Sequence, residues 1–153
     1  RDREDKDIIM GTFILIAIAV AVIYFIFQIV DTSPVNKYYF NYTGILMVNS
    51  ELSKIIDMRI TVSIQDKFIT INGDYYYKKM RILKRENELG DIYYDCIDDK
   101  RQKVIAIFRP KHNTFLCFEP GMCIVYTNDR ETINAFKDNE SNMFDQYNSS
   151  KFH

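Results

Sequence analysis

The chain has 153 residues, and its 20 Lys and Arg residues nearly balance its 21 Asp and Glu residues. A charge this close to neutral gives no long-range attraction to nucleic acid, so no nucleic-acid partner is expected. The three cysteines are too few for a scaffold held together by disulfides. The length allows one domain with a modest core rather than several domains.

An uncharged apolar run from Ile8 to Val30 is the strongest signal in the chain. At ~1.5 Å per residue, a helix over this run would be roughly 35 Å long, enough to cross the hydrocarbon core of a bilayer. A secretory signal peptide fits less well, because the run is long for one and no small-residue cleavage site follows it. The sequence therefore predicts a transmembrane helix over residues 8–30, preceded by a short charged segment over residues 1–7.

Basic residues around this run predict its orientation. Arg1, Arg3 and Lys6 precede the run, whereas Lys37 is the basic residue just after it. The positive-inside rule then puts the N-terminus in the cytosol, or in the matrix if the membrane is mitochondrial. The rest of the chain would lie on the periplasmic, extracellular or intermembrane-space side.

Residues 31–37 are predicted to form a linker, because Pro34 cannot continue a helix. A small β domain over residues 38–137 follows, and its first strand is predicted from Tyr38 to Val48. The next segment, Ser50–Asp57, is predicted to form a turn of helix with its first serine as the cap.

Met58–Gln65 alternates between apolar and polar residues, as expected of a strand with one buried face. A two-residue turn after this strand would pair Ile64 with Ile69 and Val62 with Ile71. Both pairs would then share the buried face, so the turn and the hydrophobic pattern agree.

Asn72-Gly73 is a strong signal for a type I′ hairpin turn, because both central residues of that turn need positive φ. The strand after it is predicted to point Tyr76, Met80 and Ile82 inward, and Lys78 interrupts this apolar set. Further strands are predicted over Asp91–Asp98, Lys103–Arg109, Thr114–Phe118 and Cys123–Thr127.

Seven or eight short strands joined by tight turns describe an up-and-down antiparallel meander, so the predicted fold class is mainly β. Such a sheet buries one face by closing into a barrel or by folding into a sandwich, and the short connections favour the barrel. A short C-terminal helix to about residue 137 and a flexible polar tail over residues 138–153 complete the predicted organisation.

The coarse pattern of short strands is similar to that of lipocalin-like (calycin) barrels. The Gly-x-Trp motif that such barrels carry near the first strand is missing, since the chain has no Trp. The resemblance would imply a small ligand in the barrel interior, by analogy of fold alone. Five residues predicted to point inward would either line that ligand or fill the core: Ile64, Ile69, Tyr76, Met80 and Phe115.

Cys117 and Cys123 flank a Pro-Gly turn and allow two arrangements. A two-residue loop would put them on opposite faces of the sheet, whereas a three-residue loop would place them opposite each other, where a strained disulfide could form. A metal site would need more ligands than these cysteines and His112 provide. The acidic residues of Glu88–Asp99 lack the spacing of a calcium loop and are predicted to be solvated.

The sequence contains no arrangement of Ser, His, Asp or Cys typical of catalysis and no phosphate-binding loop, so no catalytic, cofactor-binding or metal-binding residue is assigned. We therefore expect a non-enzymatic accessory subunit of a membrane complex, with membrane lipid and other membrane-protein subunits as partners. Its β domain would dock on a partner on the non-cytosolic side. The alternative is a membrane-tethered lipocalin-like barrel for a small apolar ligand, which a cavity of more than a few hundred cubic ångströms among the inward residues would favour.

Overall fold

The structure is a computed structural model that describes residues 2–47 and 53–139. The chain divides into two compact units, Arg1–Ser33 and Pro34–His153. The first unit is built around one helix, α1 (Asp2–Ile29), which takes in most of the charged segment predicted to precede it. Acidic residues occupy the first turn of α1, where the helix dipole favours negative charge, so the helix begins earlier than the apolar run.

The apolar side chains of α1 are exposed along the predicted run from Ile8 to Val30. Val30 directly follows the helix, and its amide still donates to the Ile26 carbonyl over 2.8 Å. By length and composition α1 could cross a membrane, as predicted, and an N-terminal signal sequence would have the same properties. Water solvates such a surface poorly, so the run needs an apolar environment.

The second unit is a closed barrel of eight antiparallel strands in the order β1 to β8. Each strand pairs with its neighbours in sequence, and β1 also pairs with β8. The predicted mainly β, up-and-down fold is confirmed, and closure selects the barrel over the sandwich. The strands are β1 (Asn36–Met47), β2 (Ser53–Ile64), β3 (Phe68–Gly73), β4 (Tyr77–Glu88), β5 (Asp91–Asp98), β6 (Lys103–Arg109), β7 (Thr114–Glu119) and β8 (Met122–Thr127).

The pairing of β2 with β3 follows the register that the sequence predicts. Val62 pairs with Ile71 and Ile64 pairs with Ile69, and all four side chains are buried inside the barrel. Inward residues of the other strands continue this core. Its largest fully buried side chains are Tyr94, Tyr126, Phe115, Ile60, Ile69, Ile71 and Met80.

The helical turn predicted over Ser50–Asp57 is wrong where the structure describes it. Ser53–Asp57 forms the first part of β2 and pairs with β1, while residues 50–52 lie outside the described residues. The Ser53 hydroxyl faces the outside of the barrel and accepts a hydrogen bond from Asn139 Nδ2 over 2.8 Å. Pairing with β1 and these tertiary contacts outweigh a weak local preference for helix.

The type I′ turn predicted at Asn72-Gly73 is displaced by two residues. Both residues belong to β3, where Gly73 pairs with Ile60, and the turn consists of Asp74-Tyr75. Across this turn the Gly73 amide donates to the Tyr76 carbonyl over 2.7 Å. Glycine is favoured at position 73 because Ile60 lies close to its backbone, and not because φ is positive. A Cβ on Gly73 would lie 2.6 Å from Ile60 Cδ1.

Residues 130–139 form a helix, which confirms the predicted short C-terminal helix. The Asp129 carboxylate caps it by accepting from the Thr132 hydroxyl (2.7 Å) and amide (3.3 Å), and these hydrogen bonds lower the pKa of Asp129. The Phe136 ring packs on the outer face of the barrel against Gly44 of β1. The rest of the predicted tail lies outside the described residues.

Candidate functional site

One end of the barrel, where β1 begins and β8 ends, is closed by side chains. The Tyr38 and Phe108 rings are in contact, with centroids 4.4 Å apart, and the Arg85 guanidinium lies over the Tyr94 ring at 5.8 Å. The space left among these residues is a cavity of about 80 Å³, which Ile64 also lines. A cavity of this size has room for a few water molecules and not for a larger ligand.

The opposite end is formed by the β3–β4, β5–β6 and β7–β8 turns and opens into a cavity of about 450 Å³, called the mouth cavity below. Ile45, Met122 and Ile124 give it an apolar wall, beside the ring of Tyr76. This volume is within the range of small-molecule sites, which typically combine an apolar lining with a few polar groups. The charged residues that line the mouth cavity are Lys78, Asp98, Asp99, Lys100 and Glu119.

Lys78 reaches the mouth cavity from the inner face of β4, the face that also carries Met80. Its side chain is 12% exposed. Lys78 Nζ contacts Glu119 Oε1 and lies 3.9 Å from Asp98 Oδ2, and these carboxylate side chains are 16% and 5% exposed. A charge buried to this degree is unfavourable unless it is paired, and β5 and β7 supply the paired carboxylates.

Sequence reasoning identified Lys78 as an interruption of the inward apolar set and missed its partners. The available signal was the inward charge itself, because a buried ammonium needs a carboxylate from elsewhere in the fold. Asp98 ends β5 and Glu119 ends β7, and an up-and-down barrel brings both strand ends to the level at which β4 starts. The topology therefore brings the three side chains together.

Asp98 uses its two carboxylate oxygens differently. Oδ1 accepts hydrogen bonds from the amides of Lys100 (2.9 Å) and Gln102 (2.8 Å), which fixes the β5–β6 turn. Oδ2 lies 3.9 Å from Lys78 Nζ, which is too far for a hydrogen bond. Asp98 is buried and so departs from the solvated acidic segment that the sequence predicts. Across the part of the chain that the structure describes, no group of three or more His, Cys, Asp or Glu side chains could hold a metal ion.

Two tyrosines and a thiol lie near the charged groups. The Tyr126 hydroxyl donates to the Tyr76 oxygen, and burial raises the pKa of both phenols. Burial also raises the pKa of the Cys117 thiol, and the charge of Lys78 opposes that rise only in part. The phenols and the thiol are therefore neutral at physiological pH, and a neutral buried thiol is a poor nucleophile.

Cys117 and Cys123 point to opposite faces of the sheet, as the two-residue loop Pro120-Gly121 requires. Cys123 pairs with Phe118, while Cys117 pairs with Ile124 and faces the barrel interior. Cys96, Cys117 and Cys123 are all free thiols. The disulfide considered from the sequence is absent from this arrangement, because the pairing directs the two side chains apart.

The five residues considered as lining for a ligand or a core lie inside the barrel. Ile69, Met80 and Phe115 are completely buried in the core, and Ile64 is buried towards the closed end. Of the five, Tyr76 lines the mouth cavity. The mouth cavity therefore lies at one end of the barrel and is not surrounded by the apolar core.

Fold and site together define a class of protein, a closed eight-stranded antiparallel barrel with a charged mouth cavity, preceded by an apolar N-terminal helix. No protein-family model, curated protein or solved structure matches the chain. A fold class alone does not determine function, so function has to be argued from the chain's own residues.

Proposed function

We propose that the chain is a single-pass membrane protein whose barrel is the docking domain of a non-enzymatic accessory subunit of a membrane complex. The observation that carries this proposal is a row of exposed apolar side chains outside the barrel, Leu46 on β1, Phe118 on β7 and Ile105 on β6, called the outer row below. These side chains are 38%, 42% and 47% exposed, respectively. The proposed partner is the extramembrane domain of another subunit in the same membrane.

The outer row crosses neighbouring strands at one level of the barrel. Leu46 and Phe118 each pair with Cys123 of β8, and Phe118 pairs with Ile105 on its other side. Paired residues on adjacent strands point to the same face, so all three side chains lie on the outer surface. Phe118 and Ile105 are direct neighbours, whereas Cys123 between Phe118 and Leu46 is 5% exposed and packs with Phe136. Contiguous exposed apolar surface, especially with an aromatic residue at its centre, is typical of protein–protein contact sites.

The properties of α1 support the membrane part of the proposal. Its apolar side chains are exposed from Ile8 to Val30, and burying one Leu or Ile side chain away from water is worth roughly 1.5–3 kcal/mol. Lipid is therefore the partner proposed for α1. The basic residues Arg1, Arg3 and Lys6 favour an N-terminus in the cytosol or matrix, with the barrel on the periplasmic, extracellular or intermembrane-space side.

The barrel interior offers no observation in favour of an apolar ligand. The core is occupied by large side chains such as Tyr94 and Phe115, and the mouth cavity presents charged groups that an apolar ligand would leave poorly solvated. The thiols of Cys96 and Cys117 are buried and neutral, which does not suit nucleophilic catalysis. A role for the outer surface therefore fits the barrel better.

Copurification with matched variants tests the docking surface. Phe118→Glu introduces a charge into the outer row, whereas Leu83→Glu introduces the same charge at an exposed apolar position on β4, three strands away. We expect a stoichiometric membrane-protein partner to copurify in mild detergent with the wild type and with L83E. The same partner should be lost from F118E, because desolvating the glutamate at the contact is unfavourable.

A photo-crosslinking residue at position 105 gives a second readout that traps the contact covalently before purification, and it should link the chain to the same partner. Far-UV circular dichroism checks that both glutamate variants retain the β fold. Retention of the partner by F118E, or its loss from L83E as well, would show that the outer row is not the docking surface. Purification of the wild-type chain alone from its native membrane would contradict the accessory-subunit proposal.

A further inference from the structure

We propose that the mouth cavity binds a small organic cation, a primary ammonium group carried by a short apolar body. This binding site is additional to the docking surface and does not depend on it. Three features of the cavity support it: an excess of negative charge, a mostly buried carboxylate whose nearest ammonium group is beyond hydrogen-bond distance, and an apolar wall from β1 and β8.

The charge of the cavity selects a cation over an anion. Carboxylates of Asp98, Asp99 and Glu119 line it together with ammonium groups of Lys78 and Lys100, so three negative charges face two positive ones and one is in excess. Glu119 contacts Lys78 directly. Asp98 Oδ2 is 3.9 Å from the same ammonium group, longer than the roughly 2.7–2.9 Å of a charge-assisted hydrogen bond. Lys78 therefore lies closer to Glu119 than to Asp98, while Asp99 and Lys100 are exposed to solvent.

Asp98 is fixed in a position to receive a donor. Its side chain is 5% exposed, and its Oδ1 atom is held by the amides of Lys100 and Gln102. Oδ2 lies 3.9 Å from Lys78 Nζ, and a carboxylate oxygen on a mostly buried side chain gains more from a charged donor than from a neutral one. A ligand ammonium group at Oδ2 would make the hydrogen bond that Lys78 is too distant to make.

The apolar wall of the mouth cavity suits a short apolar body. Ile45, Met122 and Ile124 supply aliphatic contact, and the ring of Tyr76 can lie beside an ammonium group, an arrangement stabilised by the ring quadrupole. The volume of about 450 Å³ lies in the lower half of the range of small-molecule sites, so a ligand with one ring fits better than a larger one.

Binding of benzylamine to the full chain in detergent micelles tests the proposal. Benzyl alcohol and benzoate carry the same ring with a neutral and a negative group, so the three compounds isolate the effect of charge. Saturation-transfer NMR gives a Kd for each compound. We expect benzylamine to bind at least about tenfold more tightly than benzyl alcohol, and benzoate not to bind, because opposite charges attract strongly at a partly desolvated site.

Matched variants locate the site. Asp98→Asn keeps an oxygen that can accept from the β5–β6 turn and removes the charge, so benzylamine affinity should fall by about tenfold or more. Asp91→Asn makes the same chemical change at the other end of the barrel, where Asp91 pairs with Arg109 Nε at 3.2 Å, and should leave the affinity unchanged. Glu119→Gln also removes a lining charge and replaces D98N as the test if D98N fails to fold.

Equal Kd values for benzylamine and benzyl alcohol would overturn the proposal, as expected if the ion pairs at Lys78 serve only to hold the barrel together. Unchanged benzylamine affinity in whichever of D98N and E119Q folds would also overturn it. Preferential binding of benzoate would mean that Lys78 governs the cavity, which is the opposite of the proposal. An equal loss of affinity in D91N would place benzylamine elsewhere, in the micelle or on the general surface, and would overturn it too.

Discussion

Burying the ammonium group of Lys78 in a small barrel is unfavourable unless opposite charge is buried with it. Asp98 and Glu119 supply that charge from two other strands, and both are themselves mostly buried. The three side chains therefore depend on one another, since removing Lys78 leaves two mostly buried carboxylates without a counter-charge, and removing both carboxylates leaves the ammonium group unpaired. This mutual dependence explains how an inward lysine can persist between apolar neighbours such as Met80.

The thiol of Cys96 carries a pH dependence that follows from its burial. Burial, together with the nearby charge of Asp95, raises the pKa of Cys96 from 9.0 to about 12. Between these two values the unfolded chain releases the thiol proton and the folded chain keeps it. The contribution of Cys96 to stability is therefore complete below about pH 9 and falls by about 1.4 kcal/mol per pH unit as the pH rises towards 12.

Urea unfolding of the wild type and of Cys96→Ala, measured at several pH values between about 8 and about 11, checks this expectation. The free energy of unfolding should fall more steeply with pH in the wild type than in C96A, although the alanine costs some stability at every pH. Tyrosines and lysines titrate in the same range, but they are common to both proteins. Parallel curves for the two proteins would contradict a raised pKa at Cys96.

Among the elements, hairpins were predicted correctly where the hydrophobic pattern of both strands fixed the register. The β2–β3 pairing is such a case, since a shift by one residue would expose Val62 and Ile64. The sequence misplaces the β3–β4 turn because the local Asn-Gly preference does not include strand pairing, which continues to Gly73. The Ser50–Asp57 prediction failed in the same way, because local propensity does not include a partner strand or the contact with Asn139.

The contact between the C-terminal helix and β1 depends on a residue without a side chain. A Cβ on Gly44 would lie 2.6 Å from Phe136 Cζ, so Gly44→Ala should push the ring away from the barrel. We expect a loss of about 1–3 kcal/mol in the free energy of unfolding, as is usual for an overpacked contact. Urea unfolding followed by circular dichroism measures this loss.

A double-mutant cycle supplies the control for Gly44→Ala. In a Phe136→Ala background the ring is absent, so adding G44A should cost much less than it does in the wild type. An equal cost of G44A in both backgrounds would mean that the alanine acts on the strand itself and not through Phe136. The sequence could not predict this contact, because it joins a glycine on one strand to a helix near the other end of the chain.

At the scale of the whole molecule, the closed barrel was predictable because every connection between strands is short and each strand has a recognisable inward face. The mouth cavity was not predictable in the same way. Lys78, Asp98 and Glu119 are far apart in sequence, and their meeting depends on how closure brings the strand ends together. The free thiols were predicted only as one of two alternatives, since the length of the loop after Glu119 decides which face each cysteine takes.

The orientation of the chain in a membrane can be checked by labelling introduced cysteines. The native residues Cys96, Cys117 and Cys123 are all buried, so they should not react with the label. Leu89→Cys places a thiol on a turn residue that is 95% exposed, and Glu4→Cys places one before the apolar run. In sealed vesicles with their non-cytosolic side outward, a membrane-impermeant maleimide should label L89C at once and E4C only after permeabilisation. This result follows from the positive-inside rule.

The reverse labelling pattern would place the barrel on the cytosolic side. Failure to find the E4C thiol in the mature chain would mean that the N-terminal helix is removed as a signal sequence. Either outcome would change the proposed localisation without changing the barrel itself.

Because β1 is hydrogen-bonded to β2 on one side and to β8 on the other, the eight described strands present no open backbone row that a foreign strand could extend. A sheet with an unpaired edge strand can pair with the edge strand of another copy, and a high local concentration favours this pairing. A chain anchored in a bilayer meets its own copies at high local concentration. Because the barrel is closed, neighbouring copies can come into contact without pairing their sheets into fibrils. Recognition of a partner by the barrel wall then uses side chains rather than strand addition, which makes it specific to the partner's shape and charge.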